Sequence, residues 1–288
     1  MNVYEVITAR ILESLEKGVV PWRMPWRTST PMNMVSKKAY RGVNVFLLSC
    51  GGYTSPYWLT FKQAKAKGGS VRKGEKATPC IFYSKIEDKK AAPAANGKSK
   101  TFGMLRYYQV FNVAQCDGIE IPVTDVVKEF NPIAECERIV SGWDKKPMIE
   151  HGGNRACYSP SADRISMPPQ GAFGTPEEYY STLFHEMTHS TGHLNRLNRK
   201  GITDAILFGS HNYSFEELVA ECGAAFLCGN AGIVNATIDN SVAYIANWAS
   251  KLKSDPKWIV DAAAQASRAA EHIMGPGAEE ADQEGEEA

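Results

Sequence analysis

His185-Glu186-Met187-Thr188-His189 is the stretch on which the reading of this chain turns. A spacing of four puts both imidazoles on one face of a helix, one turn apart, where they can share a metal ion. Glu186 lies on a neighbouring part of the same helix, close enough to take a proton from a water at such an ion. The helix is signalled independently of the motif. Thr175-Pro176-Glu177-Glu178 offers an N-cap Thr, Pro at the first helical position and Glu at the third, and Gly192 supplies a stop.

A catalytic zinc usually takes three protein ligands and leaves a position for water. Gly192 fits the longer pattern H-E-x-x-H-x-x-G-x-x-H, but Asn195 stands where its third His belongs. The better third ligand is a carboxylate in Glu216-Glu217-Leu218-Val219-Ala220-Glu221. Glu217 is assigned as ligand and Glu221, one turn on, as the group that holds a ligand His from behind. Glu221 itself and His193 are the alternatives, and Glu217 could instead be the capping-box acid of a helix starting at Ser214. Zinc is the default ion for two imidazoles and a carboxylate, with Mn2+ or another divalent metal also accommodated. Such an ion acidifies water and polarises a carbonyl; with Glu186 as general base, the reaction class implied is peptide hydrolysis. His211 and Tyr213 are candidate donors to the developing oxyanion.

Outward from the motif, periodicity predicts helices at 2–17, 56–67, 132–143, 239–252 and 256–273. Strands are expected within 71–83 and 105–113, and a hairpin at 156–167 turning near Ser161-Ala162-Asp163. Lys85 to Lys100 reads as a hairpin tip or loop. No apolar run is long enough to span a membrane, and no signal-peptide pattern is present. Seven scattered cysteines without a CxxC pair argue for reduced thiols and a cytoplasmic location.

The 288 residues carry zero net charge, unevenly: residues 1–116 hold 19 Lys+Arg against 6 Asp+Glu, and residues 117–288 hold 13 against 26. The flip marks two modules with different partners. Fifteen of the 29 aromatics lie in the basic half, interleaved with cations, which is the mixture that single-stranded nucleic acid requires: charges for phosphates, rings for unpaired bases. The candidates are Trp22, Arg23, Trp26, Lys37, Lys38, Tyr40, Arg41, Trp58, Lys62, Arg72, Lys73 and Arg106.

These residues resemble a known family. Tyr4-Glu5-Val6-Ile7-Thr8, Leu15-Glu16-Lys17-Gly18-Val19-Val20-Pro21-Trp22, Tyr40-Arg41-Gly42-Val43-Asn44, Trp58-Leu59-Thr60-Phe61-Lys62-Gln63-Ala64 and Val110-Phe111-Asn112 resemble the N-terminal module of ArdC-type antirestriction proteins. The H-E-x-x-H stretch, Arg196-Leu197-Asn198-Arg199 and Glu216 to Glu221 fit the module behind it. The resemblance implies a plasmid- or mobile-element-borne protein that binds single-stranded DNA, carries a zincin-like metallopeptidase domain and protects incoming DNA from host restriction during conjugation. It gives His185, His189 and Glu217 as the metal set.

The fold class expected is α+β in two domains. Residues 1–125 form a single-stranded-DNA-binding module, 126–274 a zincin-like domain with an edge strand within 156–167 for an extended substrate, and 275–288 an acidic disordered tail. The partners expected are single-stranded DNA and an unidentified protein substrate, with no membrane. A DNA-recruited peptidase competes with a strand-coating protein whose zincin fold is structural or dormant. A weaker third reading has the acidic tail mimicking DNA.

Overall fold

Asn2 opens the first helix with a reciprocal cap: its Oδ1 accepts from the Glu5 amide at 3.0 Å, and its own amide donates to Glu5 Oε2 at 2.8 Å. Helix α1 (Val3–Glu16) buries Ile7, Ile11 and Leu15 on one face, and Gly18 (φ 75°) ends it. The computed structural model describes residues 2–23, 30–87, 101–121, 132–203, 211–233 and 242–275. Trp26, the expected boundary at 125/126 and nearly all of the acidic tail lie outside them.

The N-terminal sheet has the order β1-β2-β5-β4, with β1 (Met32–Asn33) parallel to β2 (Tyr57–Leu59) and the long pair β4 (Thr78–Glu87) and β5 (Thr101–Asn112) antiparallel. A two-residue pair, β3 (Ser70–Val71) and β6 (Cys116–Asp117), lies beside it. Strand β4 is an edge, and its exposed main chain is blunted. Pro79 has no amide to offer, and Asn44 both donates to the Ile81 carbonyl and accepts from the Ile81 amide, each at 2.8 Å. Asn44 belongs to α2 (Val43–Ser49), a helix the periodicity missed because almost every position in it is apolar and buried. The helix expected from Pro56 is a correction: Tyr57–Leu59 is strand, and the helix α3 (Phe61–Ala66) starts only where Thr60 and Gln63 form a capping box.

In the second half, α4 (Pro132–Gly142) precedes a sheet of order β7-β9-β8. β8 (Cys157–Ser159) and β9 (Arg164–Met167) form the expected hairpin, turning through Asp163 at φ 44°, and β7 (Met148–His151) adds in parallel to β9. Helix α5 (Pro176–Ser190) starts at Thr175, whose Oγ1 accepts from the Glu178 amide. The short α6 (Lys200–Thr203), then α7 (His211–Ala231), α8 (Val242–Ser254) and α9 (Trp258–Met274) complete the chain.

The two halves share one hydrophobic core. Ile7, Ile11, Leu15, Trp22 and Phe46 belong to the same buried cluster as Phe184, Leu218, Phe226 and Trp248. Phe46 stacks on Phe226 at 4.9 Å and Trp22 meets Trp248 edge-on at 6.1 Å. Thr8 donates to the Pro256 carbonyl at 2.7 Å, and Arg41 pairs with Glu271.

Candidate metal centre

Helices α5 and α7 cross closely because Gly223 faces Thr188: a Cβ at Gly223 would lie 2.4 Å from Thr188 Cγ2. That approach brings Glu217 across to the histidines. His185 Nε2 and His189 Nε2 lie 3.0 Å apart; Glu217 Oε2 is 3.5 Å from the first and Oε1 is 3.6 Å from the second. A tetrahedral ion about 2.0–2.1 Å from each donor needs donors roughly 3.3 Å apart, so the triangle fits a divalent metal. The side chains are 23% (His185), 11% (His189) and 29% (Glu217) exposed, so the site is in contact with solvent. Burial alone would lower the His185 pKa, but the Glu217 bond and the charges of Glu186, Glu217 and Glu221 leave it raised above 6.5. Glu186 is buried on the same helix.

Glu217 is not the cap of its helix. α7 already runs from His211, so Ser214 is inside the helix and accepts from Lys251 Nζ at 3.0 Å instead of capping it. His193 is not part of the set; its Nδ1 accepts from the Asn195 amide in a local turn. The side chains of His211 and Tyr213 lie outside the described residues.

Glu221 is a correction. It does not bond a ligand imidazole; its Oε2 accepts from Trp22 Nε1 at 3.0 Å and from Tyr244 Oη at 2.5 Å. Burial raises its pKa to about 7, and the Tyr244 bond, the His185 charge and the Trp22 bond offset this only in part. The carboxylate behind a ligand is Glu216, which the sequence reading passed over. Its Oε1 lies 3.4 Å from His189 Nδ1, close in charge but without hydrogen-bond geometry, since Nδ1 has no bonded partner. Arg199 holds Glu216 through two bonds, 2.6 and 3.1 Å, and also donates to the carbonyl of Thr188 at 2.7 Å. Burial favours the neutral acid, but His189 and Arg199 outweigh it and lower the Glu216 pKa. Arg196 donates to the Ser190 carbonyl at 2.7 Å. The Arg196-Leu197-Asn198-Arg199 stretch therefore satisfies the last carbonyls of α5, where cations are favourable. Its one signal in the sequence was a pair of arginines just past a helix end.

The nucleic-acid candidates divide. Trp22, Tyr40 and Trp58 are 0%, 7% and 2% exposed; they are core residues, and a buried ring has no face for a base. Arg41 is engaged by Glu271, and Arg72 by Glu75, Asp117 and the Ala114 carbonyl. Lys38 is half-buried and has partners of its own. Lys37, Lys62, Lys73 and Arg106 are exposed with no ion pair among the described residues, Lys37 lying over the Tyr57 ring. Arg23 closes a short 3-10 turn, Pro21–Arg23; its side chain and all of Trp26 lie outside the described residues.

Comparison with known proteins assigns the chain. A crystal structure of the antirestriction protein ArdC from plasmid R388, metal-free, superposes with a TM-score of 0.74 at 35% identity, covering 95% of this chain and 97% of that one. The chain belongs to the ArdC antirestriction family. Family models agree: residues 1–111 match the N-terminal domain of anti-restriction factor ArdC, and residues 135–265 match a zincin-like metallopeptidase. The Mn(II)-bound form of R388 ArdC matches equally well, at a TM-score of 0.75. Among other relatives, the Sinorhizobium fredii protein y4eC is 35% identical over 94% of this chain and 91% of its own length. The Escherichia coli DNA primase TraC is 33% identical over 94% of this chain, which spans 27% of that protein. A relative from a plasmid and two α+β domains thus follow as expected. Among the described residues no helix is long and apolar enough to cross a membrane.

Proposed function

We propose that this ArdC-family chain is a single-stranded-DNA-binding antirestriction protein with a metal-dependent peptidase domain, acting in the cytoplasm to protect incoming DNA from host restriction. The observation that carries the peptidase reading is the convergence of His185, His189 and Glu217 at donor spacings of 3.0 to 3.6 Å. These three residues would hold the ion, zinc or manganese, which when bound supplies Lewis acidity toward water and a carbonyl. Glu186 accepts the proton of the attacking water and returns it to the leaving amine. Arg199 and Glu216 fix the His189 end of the helix. Strand β8, an edge beside α5, offers main-chain bonds to an extended substrate. The basic first module supports the DNA reading through its excess of 13 positive charges, and binding should weaken steeply with salt.

Transfer of a plasmid into a restricting recipient, with wild type and Glu186→Ala compared, tests this reading. Lost protection with an intact fold supports peptidase action. Equal protection supports the strand-coating alternative, in which the zincin fold is dormant.

A further inference from the structure

Three large rings of the N-terminal module are exposed among the described residues at the level a stacking platform needs: Phe61 at 49%, Tyr83 at 55% and Tyr107 at 45%. Tyr83 and Tyr107 belong together. The register pairs Ile81 with Tyr107 and Tyr83 with Leu105, so the two tyrosines are diagonal neighbours on one face of the β4–β5 ribbon, within about 7–8 Å along the backbone. Ile81 and Leu105, the other diagonal, pack against the core and hold the ribbon in place. Neither tyrosine has a ring or hydroxyl partner among the described residues, and large apolar rings left facing water side by side mark a binding surface. Arg106, exposed and without an ion pair among the described residues, pairs with Phe82 and so projects from the opposite face of the ribbon.

The occupant follows from charge and from the edge. A peptide strand adding to β4 would meet Pro79, which has no amide, and Ile81, whose amide and carbonyl are both taken by Asn44. Main-chain pairing is therefore blocked at Pro79 and Ile81, just before Tyr83, and the rings offer their faces. The module around them has 19 Lys+Arg against 6 Asp+Glu, which selects a polyanion that carries flat groups. We infer that unpaired bases of single-stranded DNA stack on Tyr83 and Tyr107. This deepens the DNA-binding reading above and rests on it.

The test is fluorescence anisotropy of a labelled oligo(dT) with the full chain. Tyr83→Ala and Tyr107→Ala should each weaken binding by about fivefold to a hundredfold, the range for losing one stacked base. Tyr→Phe at either position should bind as wild type does. An oligonucleotide carrying 5-iododeoxyuridine should crosslink to wild type at Tyr83 or Tyr107, which requires no variant to fold. If wild type binds the strand but the alanine variants bind equally well and crosslinks map elsewhere, the platform is wrong and the DNA reading stands. If wild type binds no single strand, the DNA reading itself fails.

Discussion

Replacing Glu221 with Gln should make the metal-free protein more stable at alkaline pH while changing little at acid pH. The carboxyl is buried, and Trp22 and Tyr244 both donate to its Oε2; a Gln carbonyl in that place can accept both bonds without a charge. Burial raises the Glu221 pKa from an ordinary 4.5 to about 7. Between those values the folded chain keeps a proton that the unfolded chain has lost, so this group's contribution falls as pH rises and levels off above about 7. At roughly 1.4 kcal/mol per tenfold change in proton affinity, the charged group costs on the order of 3 kcal/mol at pH 8. The assay is urea denaturation of EDTA-treated wild type and Glu221→Gln from pH 4.5 to 8, taking the difference in stability so that other titrating groups cancel. The variant should gain with rising pH toward that figure. A difference that stays constant across the range would refute the assignment of a buried, high-pKa carboxyl at the joint between the two modules.

Other outcomes follow from the same geometry. Gly223→Ala should destabilise by up to about 2 kcal/mol: overpacking costs about 1–3 kcal/mol and the gain in helix propensity returns about 1 kcal/mol. The reason is that Thr188 cannot yield, being fully buried with Oγ1 bonded to the Phe184 carbonyl at 2.8 Å, and thermal melts showing stabilisation would contradict it. Glu216→Gln should cost about 3–5 kcal/mol by leaving the Arg199 cation buried and unpaired, whereas the double change Glu216→Gln with Arg199→Met should recover much of the loss. Denaturation of the single and double variants decides this. Zinc affinity should fall as pH drops, beginning above the usual imidazole range because the His185 pKa is raised from 6.5; a titration series from pH 8 to 6 reads it directly.

The metal helix was legible because its signals were local and mutually reinforcing. Thr175 and Pro176 fixed the start of α5 and the i, i+4 histidines shared a face, and both depend only on neighbouring residues. Glu217 was nearly lost to a local signal that pointed the wrong way. Ser214 and Glu217 spell a capping box, but α7 starts before it, at His211. Glu216 and Arg199 were illegible for the opposite reason: 17 positions separate them, and only the packing of α6 against α7 joins them. The aromatics misled most. Trp22, Tyr40 and Trp58 sit among cations in sequence and in the core in space, because an aromatic's sequence neighbours say little about which face of its element is covered. Strand alternation was the missing guide; it separates Tyr83 from Phe82 and Tyr107 from Tyr108, and only packing then separates the exposed tyrosines from Ile81 and Leu105 on their own face.

Calorimetric titration of the EDTA-treated full chain with Zn2+, for wild type, Glu217→Ala and Glu221→Gln, tests the central claim most directly. One ion per chain should bind to wild type and to Glu221→Gln, and Glu217→Ala should lose at least tenfold in affinity with its fold retained by circular dichroism. Undiminished binding in Glu217→Ala, or loss in Glu221→Gln alone, would contradict a centre built from His185, His189 and Glu217.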